Sequence, residues 1–340
     1  MKTSFLLIFV LILSHNNFAQ KKIGVVLSGG GASALAHVGV LKALEEHNIP
    51  IDYITGSSAG ALVGSLYACG YSPEEIEIFI LSEDFLIMSK GNLRSENRLL
   101  IREPSPNSGT IGFSLAKDSI VRKSIPLNVV TPTLLDFEML KILGLTSASL
   151  EHDFDRLFVP FRCVASDVYG KNSVVFSNGN LNEVVRASMT YPLYVNPIKI
   201  DGVIYFDGGM YNNFPSDVMC DAFTPDFLIG SNVSSNMQLP DERDMFGVLR
   251  SMMTTPTSYD LPCADGLVIN AITDIGVFEF ERAEEAIQTG YQKALQHIDS
   301  LKIYISRRVD KNELNKKRKA FRSSLIPLNV SSVRATDRDS

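Results

Sequence analysis

Apolar positions in the first quarter of this chain fall into two kinds of run. Ile23-Gly24-Val25-Val26-Leu27 and Tyr53-Ile54-Thr55 are short and unbroken, as strands buried on both faces require. Between them, from roughly Ala32 to His47, Val40, Leu41 and Leu44 recur at helical spacing, and a second helix-like run, Ala61 to Ala68, follows the second strand. This alternation from Ile23 to Phe79 predicts an α/β fold: helices on both faces of a mainly parallel central sheet, in three α/β/α layers. Strand-like runs return at Phe158 to Ala165, Ser173 to Phe176, Phe227 to Ile229 and Leu267 to Ile269, and residues 279–300 have a helical pattern.

Three stretches depart from that rhythm. Residues 84–130 mix Phe85-Leu86-Ile87-Met88 with Arg94, Arg98, Arg102 and the turn-rich Pro104 to Gly109, without a sustained period. Such an insertion is either a lid or binding loop, or an irregular surface connection. At the N-terminus, Lys2, the apolar run Phe5 to Leu13, polar His15-Asn16-Asn17 and Ala19 read as an export signal over residues 1–19, too short to span a bilayer. After Val309, Lys316-Lys317-Arg318-Lys319 and Arg322 form a basic cluster. We read residues 310–340 as a solvated tail or linker rather than an anionic-lipid patch, leaving 20–309 as one catalytic-sized domain.

The 340 residues carry a net charge of −6, which argues against nucleic acid and gives no overall pull toward anionic membranes. Cys69, Cys163, Cys220 and Cys263 are widely spaced with no Cys-x-x-Cys pair. Metal binding is not indicated, and mostly free, packed thiols are expected.

Two glycine clusters sit where strands hand over to helices. Gly56-Ser57-Ser58-Ala59-Gly60 fits the nucleophile elbow, in which small residues two positions either side of a serine permit a sharp strand-to-helix turn. Upstream, Ser28-Gly29-Gly30-Gly31 can turn several backbone N–H groups toward one point ahead of a helix N-terminus, which makes an anion site. A Walker loop needs a Lys that is absent at its end. A dinucleotide loop stays open, with Ala34 tolerated and Asp52 near the expected acidic position. An oxyanion hole beside Ser58 accounts for both clusters together.

A serine nucleophile needs a base. His37 shares a helix side with Val40, Leu41 and Leu44 and reads as a packed core residue; His15, His47, His152 and His297 have no catalytic context. The conspicuous carboxylate is Asp207, where the apolar Tyr205-Phe206 runs into Asp207-Gly208-Gly209. It is either the direct base of a Ser/Asp pair or an Asp-Gly turn.

At these residues the chain resembles the patatin-like phospholipase family, from about Lys22 to about Leu301. Ser28-Gly29-Gly30-Gly31 with Leu35-Ala36-His37-Val38-Gly39-Val40-Leu41 is similar to that family's oxyanion loop and first helix. Gly56 to Gly60 resembles its elbow, Ala187-Ser188-Met189 with Pro192 its pre-dyad segment, and Asp207 to Pro215 its dyad loop. The resemblance implies Ser58 as nucleophile, Asp207 as base, and the N–H groups of Gly29, Gly30 and Gly31 as oxyanion donors. It further implies an acyl-serine mechanism without metal or organic cofactor, on a lipid or phospholipid substrate at a membrane surface, in an exported protein that is periplasmic, outer-membrane-associated or secreted. Exported relatives often continue into β-rich domains and an outer-membrane barrel, so a truncated version of that layout is expected here. One departure, Ser33-Ala34 in the place of the family's usual Lys or Arg followed by Gly, suggests a catalytically silent export or interaction module as an alternative, and a general esterase or thioesterase with the same dyad also stays open.

Overall fold

The computed structural model describes residues 21–91, 130, 132–236, 248 and 251–326. Among these, eight strands form one sheet: β1 (Ile23–Leu27), β2 (Tyr53–Ser57), β3 (Phe161–Asp167), β4 (Asn172–Phe176), β5 (Ile198–Ile200), β6 (Val203–Phe206), β7 (Phe227–Asn232) and β8 (Gly266–Asn270). The order is β5-β6-β3-β2-β1-β7-β8, with β4 also paired to β3. Neighbours from β3 through β2, β1 and β7 to β8 run parallel, while β4, β5 and β6 pair antiparallel. The expected α/β architecture with a mainly parallel sheet is therefore present.

Alternation along β1 shows how the layers are held. Ile23, Val25 and Leu27 face one core, together with helix α1 (Ala36–Glu46) and helix α2 (Ala59–Ala68), whereas Val26 faces a second core with Phe214, Met219 and Leu228. Met219 belongs to helix α7 (Ser216–Phe223) on the opposite layer. Burial on both faces explains why β1 reads as an unbroken apolar run. Helix α8 (Ala283–Leu295) crosses α1 at backbone contact: a Cβ on Gly39 would lie 1.9 Å from the Ile287 carbonyl, and one on Gly290 1.8 Å from that of Ala36.

The remaining helices are α3 (Pro73–Ile80), α4 (Glu83–Lys90), α5 (Thr133–Ser149), α6 (Leu181–Ser188), α9 (Ile298–Tyr304) and α10 (Lys311–Ser324). Three expectations change here. The start of the aperiodic 84–130 stretch is helix α4, capped by Ser82, which accepts the Phe85 N–H, and anchored by buried Phe85 and Met88. Eight residues were too few to show a period within a 47-residue insertion. Arg94, Arg98, Arg102 and Pro104 to Gly109 lie outside the described residues, as does the proposed export signal.

The basic cluster after Val309 is not a solvated linker. Asp310 caps α10 by accepting the N–H groups of Asn312 and Glu313. Arg318 is buried, ion-paired with buried Glu45 of α1 and stacked 5.0 Å over the Tyr67 ring. Arg322 pairs with Glu75 at 2.6 Å, and Lys311 with Glu74 at 2.6 Å. Acidic partners on α1 and α3, distant in sequence, turn one face of this run inward, while Lys316, Lys317 and Lys319 stay exposed.

The thiols also divide. Cys69 and Cys163 are free and buried, as expected, and burial pushes both up to about 12. Cys220 and Cys263, in contrast, form a disulfide. Their pairing depends on the β7–β8 connection folding back beside α7, which no local pattern reveals.

Candidate active site

Register brings the chemistry to one edge. Leu27 of β1 stands beside Gly56 of β2 and Ser231 of β7, so all three strands end together and release their loops at the carboxyl edge of the sheet, the usual ligand edge of parallel α/β folds. Ser58 follows β2 there with φ 53° and ψ −130°. A non-glycine residue in this region costs on the order of 1–3 kcal/mol and persists only where its surroundings enforce it. Those surroundings are visible. A Cβ on Gly60 would lie 2.4 Å from the Ser28 carbonyl, one on Gly56 would lie 2.7 Å from that of Gly60, and the Ser58 N–H donates to buried Ser188 Oγ at 2.8 Å.

Asp207 arrives from the other direction. Because β6 runs antiparallel to β3, with Phe206 opposite Ser166, it ends where Asp207 can meet the elbow. Ser58 Oγ donates to Asp207 Oδ2 at 2.6 Å, and the two residues are 8% and 5% exposed. The other carboxylate oxygen, Oδ1, accepts the Gly209 N–H at 2.8 Å. The backbone of Asp207 is held as firmly: its N–H donates to the Thr190 carbonyl at 2.9 Å, and its carbonyl accepts Ser166 Oγ at 2.8 Å. A short turn after Asp207 does exist, Gly208–Met210, yet the carboxylate also points at the serine.

The glycine loop packs against Ser58: a Cβ on Gly29 would lie 2.9 Å from the Ser58 Cβ. The Gly29 N–H donates to the Asn213 carbonyl at 3.0 Å and is thus consumed by the loop's own anchorage. Of the three expected oxyanion donors, Gly29 is therefore removed. The N–H groups of Gly30 and Gly31, and that of Ala59 at the start of α2, have no acceptor among the described residues. Ala59 follows Ser58, and in elbow enzymes the residue after the serine supplies one donor. Ser33 is buried, with Oγ donating to the Gly30 carbonyl at 2.8 Å, so this residue braces the loop from behind and does not line the pocket.

His37 sits beneath the same loop. Its Nε2 is 2.8 Å from the Ser28 carbonyl, which can only accept, so Nε2 carries the proton and Nδ1 accepts from Ser231 Oγ at 2.7 Å. Burial pushes its pKa down to about 4, the Ser28 bond offsetting only part of that effect. It is a neutral brace, as its helical position suggested. The dinucleotide alternative fails on placement: Asp52 accepts the Ile23 N–H at 2.8 Å at the amino end of β1 and pairs with Arg307, at the opposite edge from the glycine loop.

A pocket opens over Ser58 and Asp207. Part of its lining is apolar, from Leu62, Phe85, Met88, Leu135, Met189 and Phe280. Another part carries hydroxyls and amides from Asn213, Ser234, Asn236, Thr255 and Thr257. Asp207 is the sole acid among the described lining residues, which include no Lys or Arg. Any oxyanion held here would rest on backbone N–H groups. Among the described residues no group of His, Cys, Asp and Glu is gathered where it could hold a metal ion.

Sequence reasoning passed over the roles of Ser188, Ser166, Thr190 and Asn213. The segment around Ser188 and the Asn212-Asn213 pair were both visible as motif, but their hydrogen bonds run to residues 130 or more positions away, for Ser188 to Ser58 and for Asn213 to Gly29.

A family model described as patatin-like phospholipase matches residues 25–219. Among curated relatives, the chain is similar to patatin-like phospholipase domain-containing protein 7 of Rattus norvegicus, 32% identical over 215 residues, covering 60% of this chain and 14% of that protein. It is also similar to lysophospholipase NTE1 of Pyricularia oryzae, 25% identical over 313 residues, covering 83% and 19%. The chain thus spans less than a fifth of either relative. Among solved structures, VipD from Legionella pneumophila aligns with a TM-score of 0.40 at 14% identity, covering 83% of this chain and 67% of that one.

Proposed function

Since the chain belongs to the patatin-like phospholipase family, we propose that it is an exported lipid acyl hydrolase of phospholipase A type working through a Ser58/Asp207 dyad. The observation that carries this reading is the 2.6 Å bond from Ser58 Oγ to Asp207 Oδ2 at the floor of a pocket with an apolar wall. In the proposed reaction, Asp207 Oδ2 accepts the Ser58 proton as Oγ attacks the ester carbonyl carbon. The carbonyl oxygen becomes an oxyanion facing the N–H groups of Gly30, Gly31 and Ala59. Proton return from Asp207 to the leaving alkoxide frees the lyso-lipid and leaves an acyl-serine. Water then gives a proton to the same carboxylate as it attacks the acyl carbon, and Asp207 passes that proton to Ser58 Oγ as the C–Oγ bond breaks and the fatty acid leaves.

The remaining geometry suits that sequence. Because Gly209 N–H fixes Oδ1, the other oxygen keeps its direction through both proton transfers. Apart from Asp207 the described lining carries no charge, so no side-chain cation competes with the backbone dipoles for the oxyanion. Apolar side chains at Leu62, Met88 and Leu135 offer a surface for the acyl chain. Export is supported by the leader-like pattern of Phe5 to Leu13 and by a disulfide, which persists in oxidising compartments. No helix among the described residues is long and apolar enough to cross a membrane.

The test is covalent labelling with a fluorophosphonate, with peptide mapping and a Ser58→Ala control. Labelling confined to Ser58, followed by release of fatty acid from phosphatidylcholine vesicles, is the expected result. Labelling of Ser58 with turnover of short esters only would reduce the assignment to a general esterase; an unlabelled, folded protein would refute it.

A further inference from the structure

In the connection from β7 to β8, residues 254–260 cross the loop from Asp207 to Pro215, the proposed catalytic loop, and are tied to it repeatedly. Thr255 donates its N–H to the Met210 carbonyl at 2.8 Å and its Oγ1 to that of Tyr211 at 3.2 Å. The Asp260 carbonyl accepts Ser216 Oγ at 2.7 Å, and the Tyr259 ring lies 5.6 Å from that of Phe214. The Tyr259 hydroxyl is 3.3 Å from Ser234 Oγ, which in turn accepts Asn213 Nδ2 at 2.8 Å. Through Asn213 the strap therefore reaches the glycine loop, whose Gly29 N–H rests on the Asn213 carbonyl. Both halves of the site, base loop and oxyanion loop, lean on residues 254–260.

One tie is of a different strength. Cys263, at the far end of the strap, is joined to Cys220 of α7, directly after the catalytic loop. Among the described residues it is the single covalent link between these segments. Cys263 is exposed, whereas Cys220 is half-buried. Cys69 and Cys163 are buried, and burial holds both as thiols at neutral pH, so neither competes in exchange.

We propose that Cys220–Cys263 is a thiol–disulfide exchange site, open to a dithiol reductant, whose redox state sets how firmly the 254–263 strap holds the catalytic loop and hence how fast Ser58 reacts. In the exchange, a reductant thiolate attacks the exposed Cys263 sulfur, and the protein S–S bond breaks. Cys220 leaves as a thiolate and takes a proton from water. The second thiol of the reductant then displaces Cys263, so the protein gains two electrons and two protons and the reductant becomes a disulfide. The strap keeps its hydrogen bonds to Met210 and Tyr211 but loses its fixed end. Sub-ångström looseness at a reacting pair is enough to slow chemistry.

This inference rests on the dyad reading, so its test uses separate readouts. Oxidised protein, protein reduced with dithiothreitol, and a Cys220→Ser/Cys263→Ser double variant are compared for the rate of fluorophosphonate labelling at Ser58, for kcat and KM on a soluble ester, and for amide hydrogen exchange over residues 254–263. Reduction should slow labelling about tenfold, lower kcat more than KM changes, and speed exchange at Thr255 and Thr257. Reoxidation with oxidised glutathione should restore the wild-type chain, and the double variant should match reduced protein and ignore both reagents. Faster strap exchange with an unchanged labelling rate would overturn the coupling, and unchanged exchange would overturn the strap itself. An oxidised, folded chain that never labels at Ser58 would instead refute the dyad and the inference that depends on it.

Discussion

At Ser58 the backbone adopts a conformation that a serine would not choose alone, and Ser188 and two glycines make it hold. Ser58 is thereby held with its Oγ bonded to Asp207. Asp207→Asn keeps the shape and the Gly209 bond but cannot accept the serine proton, so kcat/KM for ester hydrolysis should fall by about 10²–10⁴-fold with the thermal midpoint little changed. A folded Asp207→Asn protein with near-full turnover would send the search for the base elsewhere. Position 33 invites the opposite experiment. Restoring the family's cation with Ser33→Arg should not raise preference for anionic lipid, since Ser33 is buried and turned to the Gly30 carbonyl. The expected outcome is a loss of folded yield and midpoint, read by thermal melting; a stable variant with a higher anionic-to-zwitterionic kcat/KM ratio would show that residue 33 reaches substrate.

At the scale of elements, α10 shows how much a short basic helix can contribute when its partners lie elsewhere in the chain. Its Arg318 and the facing Glu45 have side chains 4% and 1% exposed. Arg318→Ala would strand a buried carboxylate, and chemical denaturation should register about 3–5 kcal/mol of lost stability. Replacing both, as Glu45→Gln with Arg318→Met, should recover much of that loss; equal losses in single and double variants would mean that the pair acts through packing alone. The sequence disclosed this helix only as charge, because the acidic residues that pair with buried Arg318 and exposed Arg322 lie more than 240 positions upstream. By contrast β1, β2, α2 and the glycine-flanked Ser58 and Asp207 were legible, since strand burial, helical spacing and tight turns leave local marks. Gly29 shows the limit of such marks. Its place in the loop could be read, but the engagement of its N–H by Asn213 could not.

Over the whole molecule, acidity should be felt through His37. Its folded pKa lies near 4 against an ordinary 6.5, so the unfolded chain takes up a proton that the folded chain refuses. Stability contributed by neutral His37 is complete above about pH 6.5 and is lost as pH falls toward 4, by up to about 3 kcal/mol. Denaturant midpoints measured from pH 7 to 4 should fall more steeply for wild type than for His37→Gln. Parallel curves would assign the acid sensitivity to carboxylates. Because His37 braces the Ser28 carbonyl at the head of the glycine loop, activity should decline over the same interval.

The antiparallel approach of β6 has a temporal meaning as well. Ser58 and the carboxylate that would activate it lie 149 positions apart, and β6 reaches the elbow's strand β2 through β3, which lies between them. If Asp207 is the base, a chain synthesised only as far as its first helices carries Ser58 without it. On the proposed dyad, hydrolysis would wait until the polypeptide has passed Asp207, long after the serine has emerged.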